Sequence, residues 1–474
     1  MVATGGVVLR DGLEYFPNCG RVPRLSGDLR PLIPKLGLRE YWYPALGSRR
    51  VGKKRPLRVA MLGEDLCFFR DSNGDVAALT DYCPHRGARL SEGDCHYAGT
   101  VACPYHGWVF DGEGRNVAVL SEGPEALICG KPGTEARKFP TRELKGIVFV
   151  WMGEGEPAPI EEDVPEEFFD PAAYILFNDR IYWKTNWEVA LENSMDAHVQ
   201  YLHRDNLRAL LGSEGVRSGG SSGQRPVFTG NGFRSGNVGR PRAPSRTNGS
   251  NGSAGTGPSP SPVGGQDVYP QGWKWPKHRL RRLWSWFFSP ILNLLSIPQG
   301  PIREPERWGS GHHLPGMFRA GGGAPRPGSQ SVRNPIVRLL RAGGGGGLFG
   351  LYTRQVVPVD EWLTRVWYHH YTRPKNRLHK AWIWFNYFTL GRWTSEYNFS
   401  QQDMSVMLNQ RFDVPEKLAG TDAEVVQWRR LVVTKQFGGR DHPFEQRQIE
   451  ELADVQEPEL EPMRVLVGVN QSDG

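Results

Sequence analysis

The stretches Cys83-Pro84-His85-Arg86-Gly87 and Cys103-Pro104-Tyr105-His106-Gly107-Trp108 decide how this chain reads. The first has Cys-x-His spacing, 17 residues follow its His, and the second has Cys-x-x-His spacing. Two thiolates and two imidazoles on two turn-forming loops can hold a metal centre. Pro and Gly flank each pair and let a stiff loop turn tightly. A structural zinc site usually pairs Cys with Cys and His with His along the chain. Here each pair mixes the two residue types, and Cys-x-His is too tight for a zinc knuckle. Outward from these loops, about Glu40 to Gly155 reads as all-β. Short apolar runs at 59–62, 67–69, 76–79 and 147–151 are separated by the turn signals Asp71-Ser-Asn-Gly and Asp111-Gly-Glu-Gly.

A 2Fe–2S cluster with two Cys on one iron and two His on the other fits the spacing, and imidazole in place of thiolate raises its potential. Through CPHRG and CPYHGWVFDGEG the sequence resembles the Rieske family, with Cys83, His85, Cys103 and His106 as cluster ligands. Rieske proteins of respiratory complexes carry an extra Cys in each loop and form a disulfide beside the cluster. The corresponding positions here are Ala88 and Tyr105. The resemblance is therefore to the lower-potential oxygenase and ferredoxin branch. Cys19, Cys67, Cys95 and Cys129 read as buried or incidental thiols, and His96 as a loop residue.

A Rieske ferredoxin needs about the first third of this chain, so the remainder has another task. The run Glu192-Asn-Ser-Met-Asp-Ala-His-Val-Gln-Tyr-Leu-His203 places His198 and His203 five residues apart. On a regular helix they would stand about 140° apart, so both reach one metal only if the helix loosens near Leu202. Two His and one carboxylate with open positions is the site type of non-haem Fe(II) oxygenases. Asp403, on a helix-like run from about 397 to 411 with few other charges, is the candidate carboxylate. Glu396 and Asp413 are its nearby competitors.

With these residues included, residues 38–211 and about 313–415 resemble the α subunit of Rieske non-haem iron, aromatic-ring-hydroxylating oxygenases. The resemblance implies a mononuclear Fe(II) held by His198, His203 and Asp403. It implies a head-to-tail homotrimer, in which an electron passes from one subunit's cluster to its neighbour's iron through a bridging carboxylate, here Asp196. The family usually reads Asp-x-x-His, whereas this chain reads Asp196-Ala-His198, one residue short. That shift turns Asp196 by about 100° on a regular helix, and leaves Asn193 or Glu192 as possible participants. The implied partners are an NAD(P)H-dependent reductase, with or without a ferredoxin, plus O₂ and a small hydrophobic or aromatic substrate. The expected outcome is mono- or dihydroxylation, or oxidative demethylation. The rival reading is a Rieske electron-transfer or redox-sensing protein without catalytic iron.

The fold expectation is α+β. An N-terminal Rieske all-β domain (38–155) is followed by a helix-covered antiparallel β-sheet catalytic domain (173–474). Residues 1–37 read as a polar extension and the Pro- and acid-rich stretch 156–172 as a linker. A strand is expected near 182–185 and a helix from Trp187 to about Tyr201. Further strands are expected at 351–357 and across the Trp- and Phe-rich runs of 362–393. His313 to Arg319 reads as a strand returning to the core.

Between these parts lies a basic insertion, 212–312. Residues 212–266 hold 15 Gly, 10 Ser and 6 Pro and read as disordered. Residues 212–346 hold 18 Lys and Arg against four acids, leaving the other 339 residues with 40 basic and 47 acidic side chains. That imbalance excludes a uniformly basic nucleic-acid-coating protein, and no binding module accompanies the charge. The basic-aromatic run 273–296 reads first as a lid helix, then as a docking face for an acidic electron donor, and last as a membrane-surface segment. The longest apolar stretch, 283–295, is too short to span a bilayer. Six Cys and no apolar signal core lead to the expectation of a cytoplasmic protein.

Overall fold

A computed structural model describes residues 29–195, 202–203, 311–320, 352–410, 416–418 and 422–435, with short strands also placed before residue 23 and between 227 and 234. The N-terminal strands β1 (Val8–Arg10), β2 (Leu13–Phe16) and β3 (Gly20–Val22) form an antiparallel meander, so the expected extension carries structure of its own.

The expected β domain is built from three small sheets. One joins β4 (Trp42–Gly47), β12 (Thr141–Leu144) and β13 (Ile147–Trp151). A second joins β5 (Leu57–Met61), β6 (Glu64–Arg70), β7 (Val76–Thr80) and β11 (Lys138–Phe139). The third joins β8 (Thr100–Ala102), β9 (Trp108–Asp111) and β10 (Asn116–Val119) and carries the second ligand loop between β8 and β9. Cys67, Phe69, Leu79, Leu90, Val101 and Phe110 form a core beneath the two loops. β4 and β13 are buried on both faces, because their other face packs on the next domain.

The second half is a seven-stranded antiparallel sheet in the order β14-β20-β19-β18-β17-β16-β15. Its strands are β14 (Tyr174–Trp183), β15 (Val227–Thr229), β16 (Gly232–Arg234), β17 (Gly311–His313), β18 (Met317–Ala320), β19 (Tyr352–Asp360) and β20 (Leu363–Thr372). The expected strand near 182 thus starts eight residues earlier. β15 and β16 correct the reading of 212–266 as wholly disordered, since Gly232–Arg234 pairs antiparallel with Gly311–His313. Short strands in a Gly-rich run carry little local signal, and a partner some 80 residues away completes them.

The stretch 156–172 is no loose linker. Trp42 donates from Nε1 to the Ala158 carbonyl at 2.7 Å and from its backbone to Asp163 at 2.8 Å. Arg319 meets Glu167 at 2.5 Å, and Arg373 meets Asp170 at 2.7 Å. The acids that suggest a solvated spacer are clasped by cations from the catalytic sheet. One apolar core runs through both halves, joining Trp42 and Trp151 to Trp183, Trp187 and Trp367.

Helix α1 (Trp187–Glu192) is N-capped by Asn186, whose side chain accepts from the Glu188 amide. It is shorter than the expected helix, and residues 196–201 lie outside the described residues. Residues 377–397 are helical, contrary to the strand reading. Asn376 Oδ1 accepts from the His379 amide at 2.8 Å and starts α2 (Arg377–Asn386). A π-helical stretch from Tyr387 to Tyr397 leads into α3 (Asn398–Met407). Aromatic residues favour strands in general, but an N-cap and packing on one side settle the local choice here. Helix α4 (Ala423–Thr434) closes the description.

Candidate metal centres

The two ligand loops are the same turn used twice. Cys83 donates its amide to the Ala88 carbonyl and Gly87 donates to the Cys83 carbonyl, at 2.8 and 2.9 Å. Cys103 donates to Trp108 and Gly107 to Cys103, at 2.8 and 3.1 Å. Gly87 and Gly107 have φ of +72° and +68°, a region that L side chains avoid. A Cβ on Gly107 would also stand 2.8 Å from Leu120 Cβ.

The loops set the thiols inward and the imidazoles outward. Cys83 and Cys103 are buried, His106 is half-buried and His85 is exposed. The imidazole ring centroids are 4.5 Å apart, and His85 stacks on Trp108 at 4.7 Å. The thiols hydrogen-bond one another, which pulls Cys103 down to about 6 and pushes Cys83 up. Two inward thiols and two neighbouring outward imidazoles are the donor set that a 2Fe–2S cluster of mixed ligation takes.

Cys67, Cys95 and Cys129 are free thiols, and Cys67 is fully buried. Cys19 lies outside the described residues. Ala88 and Tyr105 stand on the loops at the positions read as lacking a second Cys pair. His96 is exposed on the rim of the cleft beside His85 and His106.

The candidate second centre lies between α1, α3 and the sheet. His203 Nε2 is 3.0 Å from Asp403 Oδ1, and both side chains are buried. Gln402 Oε1 is 2.9 Å from His203 Nδ1. With the amide oxygen toward Nδ1, Nε2 is the ring nitrogen that faces the carboxylate. Two electron-pair donors pointed at each other in a dry site repel unless a proton or a metal ion stands between them. The arrangement fits an Fe(II) held by imidazole and carboxylate. Asn193, at the C-cap of α1, donates from Nδ2 to Asp403 Oδ1 at 3.3 Å and accepts from Arg354 at 3.3 Å.

His198 and Asp196 lie outside the described residues, as do Asp413 and the run 273–296. Glu396 stands one helix stretch before Asp403 and is committed elsewhere. It accepts from Asn178 at 2.6 Å and Tyr387 at 2.7 Å, and meets His370 at 2.9 Å. Glu192 is held by Arg429 through contacts of 2.6 and 2.8 Å. Burial and a hydrogen-bonded Arg429 define that cluster, and burial with the Glu192 charge lifts Glu188 to about 8. Gln402 and Arg354 were not among the sequence candidates. Adjacency to Asp403 was the one signal for Gln402. Arg354 had none, since its role depends on strand register.

The chain resembles known proteins in sequence and in fold. The family "Rieske [2Fe-2S] domain" matches residues 41–128, and "Homotrimeric ring hydroxylase" matches residues 151–210. The terminal oxygenase component of carbazole 1,9a-dioxygenase from Metapseudomonas resinovorans is 34% identical over 185 residues, covering 39% of this chain and 47% of that protein. The chloroplastic pheophorbide a oxygenase of Oryza sativa subsp. japonica is 35% identical over 211 residues, covering 40% of each. The chain thus spans less than half the length of these curated relatives. The solved terminal oxygenase of carbazole 1,9a-dioxygenase from Novosphingobium sp. KA1 superposes with a TM-score of 0.56 at 20% identity, over 87% of this chain and 96% of that one. That likeness extends the fold across both halves. Among the described residues no helix is long and apolar enough to cross a membrane.

Proposed function

We propose that this chain is a terminal oxygenase component of the Rieske non-haem iron oxygenase α-subunit family. It uses electrons from an NAD(P)H-dependent reductase, directly or through a ferredoxin, to hydroxylate or oxidatively demethylate an aromatic or other hydrophobic substrate. The observation that carries this reading is the buried His203–Asp403 pair, with Gln402 on the other imidazole nitrogen. An electron-transfer protein has no need of such a pair.

In this reading Cys83, His85, Cys103 and His106 hold the 2Fe–2S cluster, and His198, His203 and Asp403 hold the iron. When bound, the cluster supplies single electrons and the iron supplies the centre at which O₂ is activated. The exposed His85 edge offers electrons a path at the surface, while the buried thiols keep water from the sulfurs. Gln402 fixes the His203 ring and Asn193 steadies Asp403. Asp196 would link a cluster His of one subunit to an iron His of the next in a homotrimer. Free thiols support a reducing, cytoplasmic setting. The relatives named above act, by their names, on carbazole and pheophorbide a, so polycyclic compounds belong in the first substrate screen beside aromatic acids and ethers.

Metal analysis and O₂ uptake test the proposal together. About three irons per chain and substrate-stimulated consumption of NADH and O₂ are expected. Two irons per chain, with no stimulated uptake across the screen, would sink it.

A further inference from the structure

Helix α1 has six residues, and isolated helices shorter than about 12 residues are marginal in water. Contacts from distant segments therefore fix where its last turn lies. The position of that turn matters because Asn193, its C-cap, donates from Nδ2 to Asp403 at 3.3 Å. Two neighbours orient the Asn193 amide. A guanidinium can only donate and an ionised carboxylate can only accept, so Oδ1 faces Arg354 and Nδ2 faces Asp403. Arg354 is held in turn. It donates to the Ala190 carbonyl at 3.4 Å and lies over the Trp183 ring at 5.1 Å. The sheet thus fixes Asn193 from one side.

Helix α4 fixes the other side. Arg429 meets Glu192, the residue before Asn193, from Nε to Oε1 at 2.6 Å and from Nη2 to Oε2 at 2.8 Å. A two-point guanidinium–carboxylate contact sets direction as well as distance. Both residues are buried, at 3% and 7% exposure, so water competes little for either partner. The guanidinium is anchored from behind as well. Glu416 lies 3.2 Å from Arg429 Nη2 and is itself held by Arg30 at 2.8 Å. Removing one partner of such a buried pair strands the other's charge, so the contact governs the local backbone strongly.

We infer that Arg429 is a positioning residue for the candidate iron site: through Glu192 it sets the last turn of α1, and that turn sets Asn193 on Asp403. The side-chain partners of Arg429 are Glu188, Glu192 and Glu416, so its influence on Asp403 runs through α1. This role rests on the proposed ligation of iron by Asp403. It ties the hold on the metal to a helix that begins 20 residues after Asp403 in the chain.

A double-variant cycle on iron retention tests it in the full metal-loaded chain. The readout is the rate at which a ferrous chelator removes the mononuclear iron, with Rieske absorbance and unfolding midpoint followed alongside. Arg429→Met and Asn193→Ala should each speed iron loss about tenfold. Arg429→Lys keeps the charge without the two-point contact and should fall between Arg429→Met and the parent. The double variant Arg429→Met/Asn193→Ala should lose iron no faster than the worse single variant, because both changes cut one path. Multiplied losses of about a hundredfold would overturn the inference, since Arg429 would then act by another route. A lowered unfolding midpoint with unchanged iron loss in Arg429→Met would overturn it too, leaving Arg429 a purely structural role. Should Arg429→Met not fold, Glu192→Gln takes its place in the same cycle with the same expectations. About two irons per chain in the parent would sink the oxygenase reading and this inference together, whereas about three with multiplied losses would sink the inference alone.

Discussion

His203 Nε2 stands 3.0 Å from Asp403 Oδ1, and the two residues are 200 positions apart in the chain. The contact joins His203 to α3, and Gln402 hydrogen-bonds the other imidazole nitrogen. Outer partners of this kind typically change metal affinity about 10–100-fold when removed. Gln402→Leu should weaken iron retention within that range in a chelator competition, with the Rieske absorbance intact. His203→Ala should lower iron from about three to about two per chain. If His203→Ala abolished the Rieske signal instead, the two centres would have been assigned the wrong way round.

Asp196→Asn addresses electron transfer alone. On the proposed bridge the variant keeps both metals and its trimer but turns over far more slowly. Single-turnover reduction of the second centre by the cluster is the direct measurement. Full activity in this variant would remove Asp196 from the electron path.

The two loop glycines give a matched pair. Gly87→Ala meets nothing within 4 Å, so it carries only the cost of a left-handed φ, about 1–2 kcal/mol. Gly107→Ala carries that cost and also drives a Cβ to 2.8 Å from Leu120. Thermal unfolding should therefore rank Gly107→Ala below Gly87→Ala, and cluster occupancy should follow the same order. Equal losses would mean that Leu120 moves aside freely.

Acid should destabilise the catalytic half through its buried histidines. Burial, with His370 alongside, lowers His369 to about 3, and burial also lowers His312. Between about 6.5 and 3 the unfolded chain takes a proton on His369 that the folded chain does not, and His312 acts in the same direction, so stability falls as pH falls. The slope per histidine is about 1.4 kcal/mol per pH unit. Glu188, lifted to about 8 by burial and the Glu192 charge, acts oppositely, because its contribution declines as pH rises from its ordinary value towards 8. Urea midpoints across this window for the parent and His369→Asn isolate the histidine share. An unchanged slope in the variant would show that His369 titrates normally in the fold.

The metal chemistry of the β domain was legible in the sequence because Cys83 with His85, and Cys103 with His106, are local. Each pair sits within one turn, and the backbone bonds of that turn link residues four or five apart, so Pro and Gly spacing carries the geometry. His203 and Asp403 were legible as residue types, but their convergence required the sheet and α3 to pack. The tertiary structure also decided three matters that composition misread. Residues 156–172 look like a solvated spacer, yet Arg319 and Arg373 hold their acids from far along the chain. Residues 377–393 look like strand, yet the Asn376 cap and the inward Ile383 and Tyr387 make them helix. Gly232–Arg234 looks like part of a featureless run, yet Gly311–His313 pairs with it. Local sequence specifies turns, caps and ligand types, because those energies arise within a few residues. Salt-bridge partners, strand neighbours and the His203–Asp403 pair depend on contacts between distant segments, and only the folded chain brings these together.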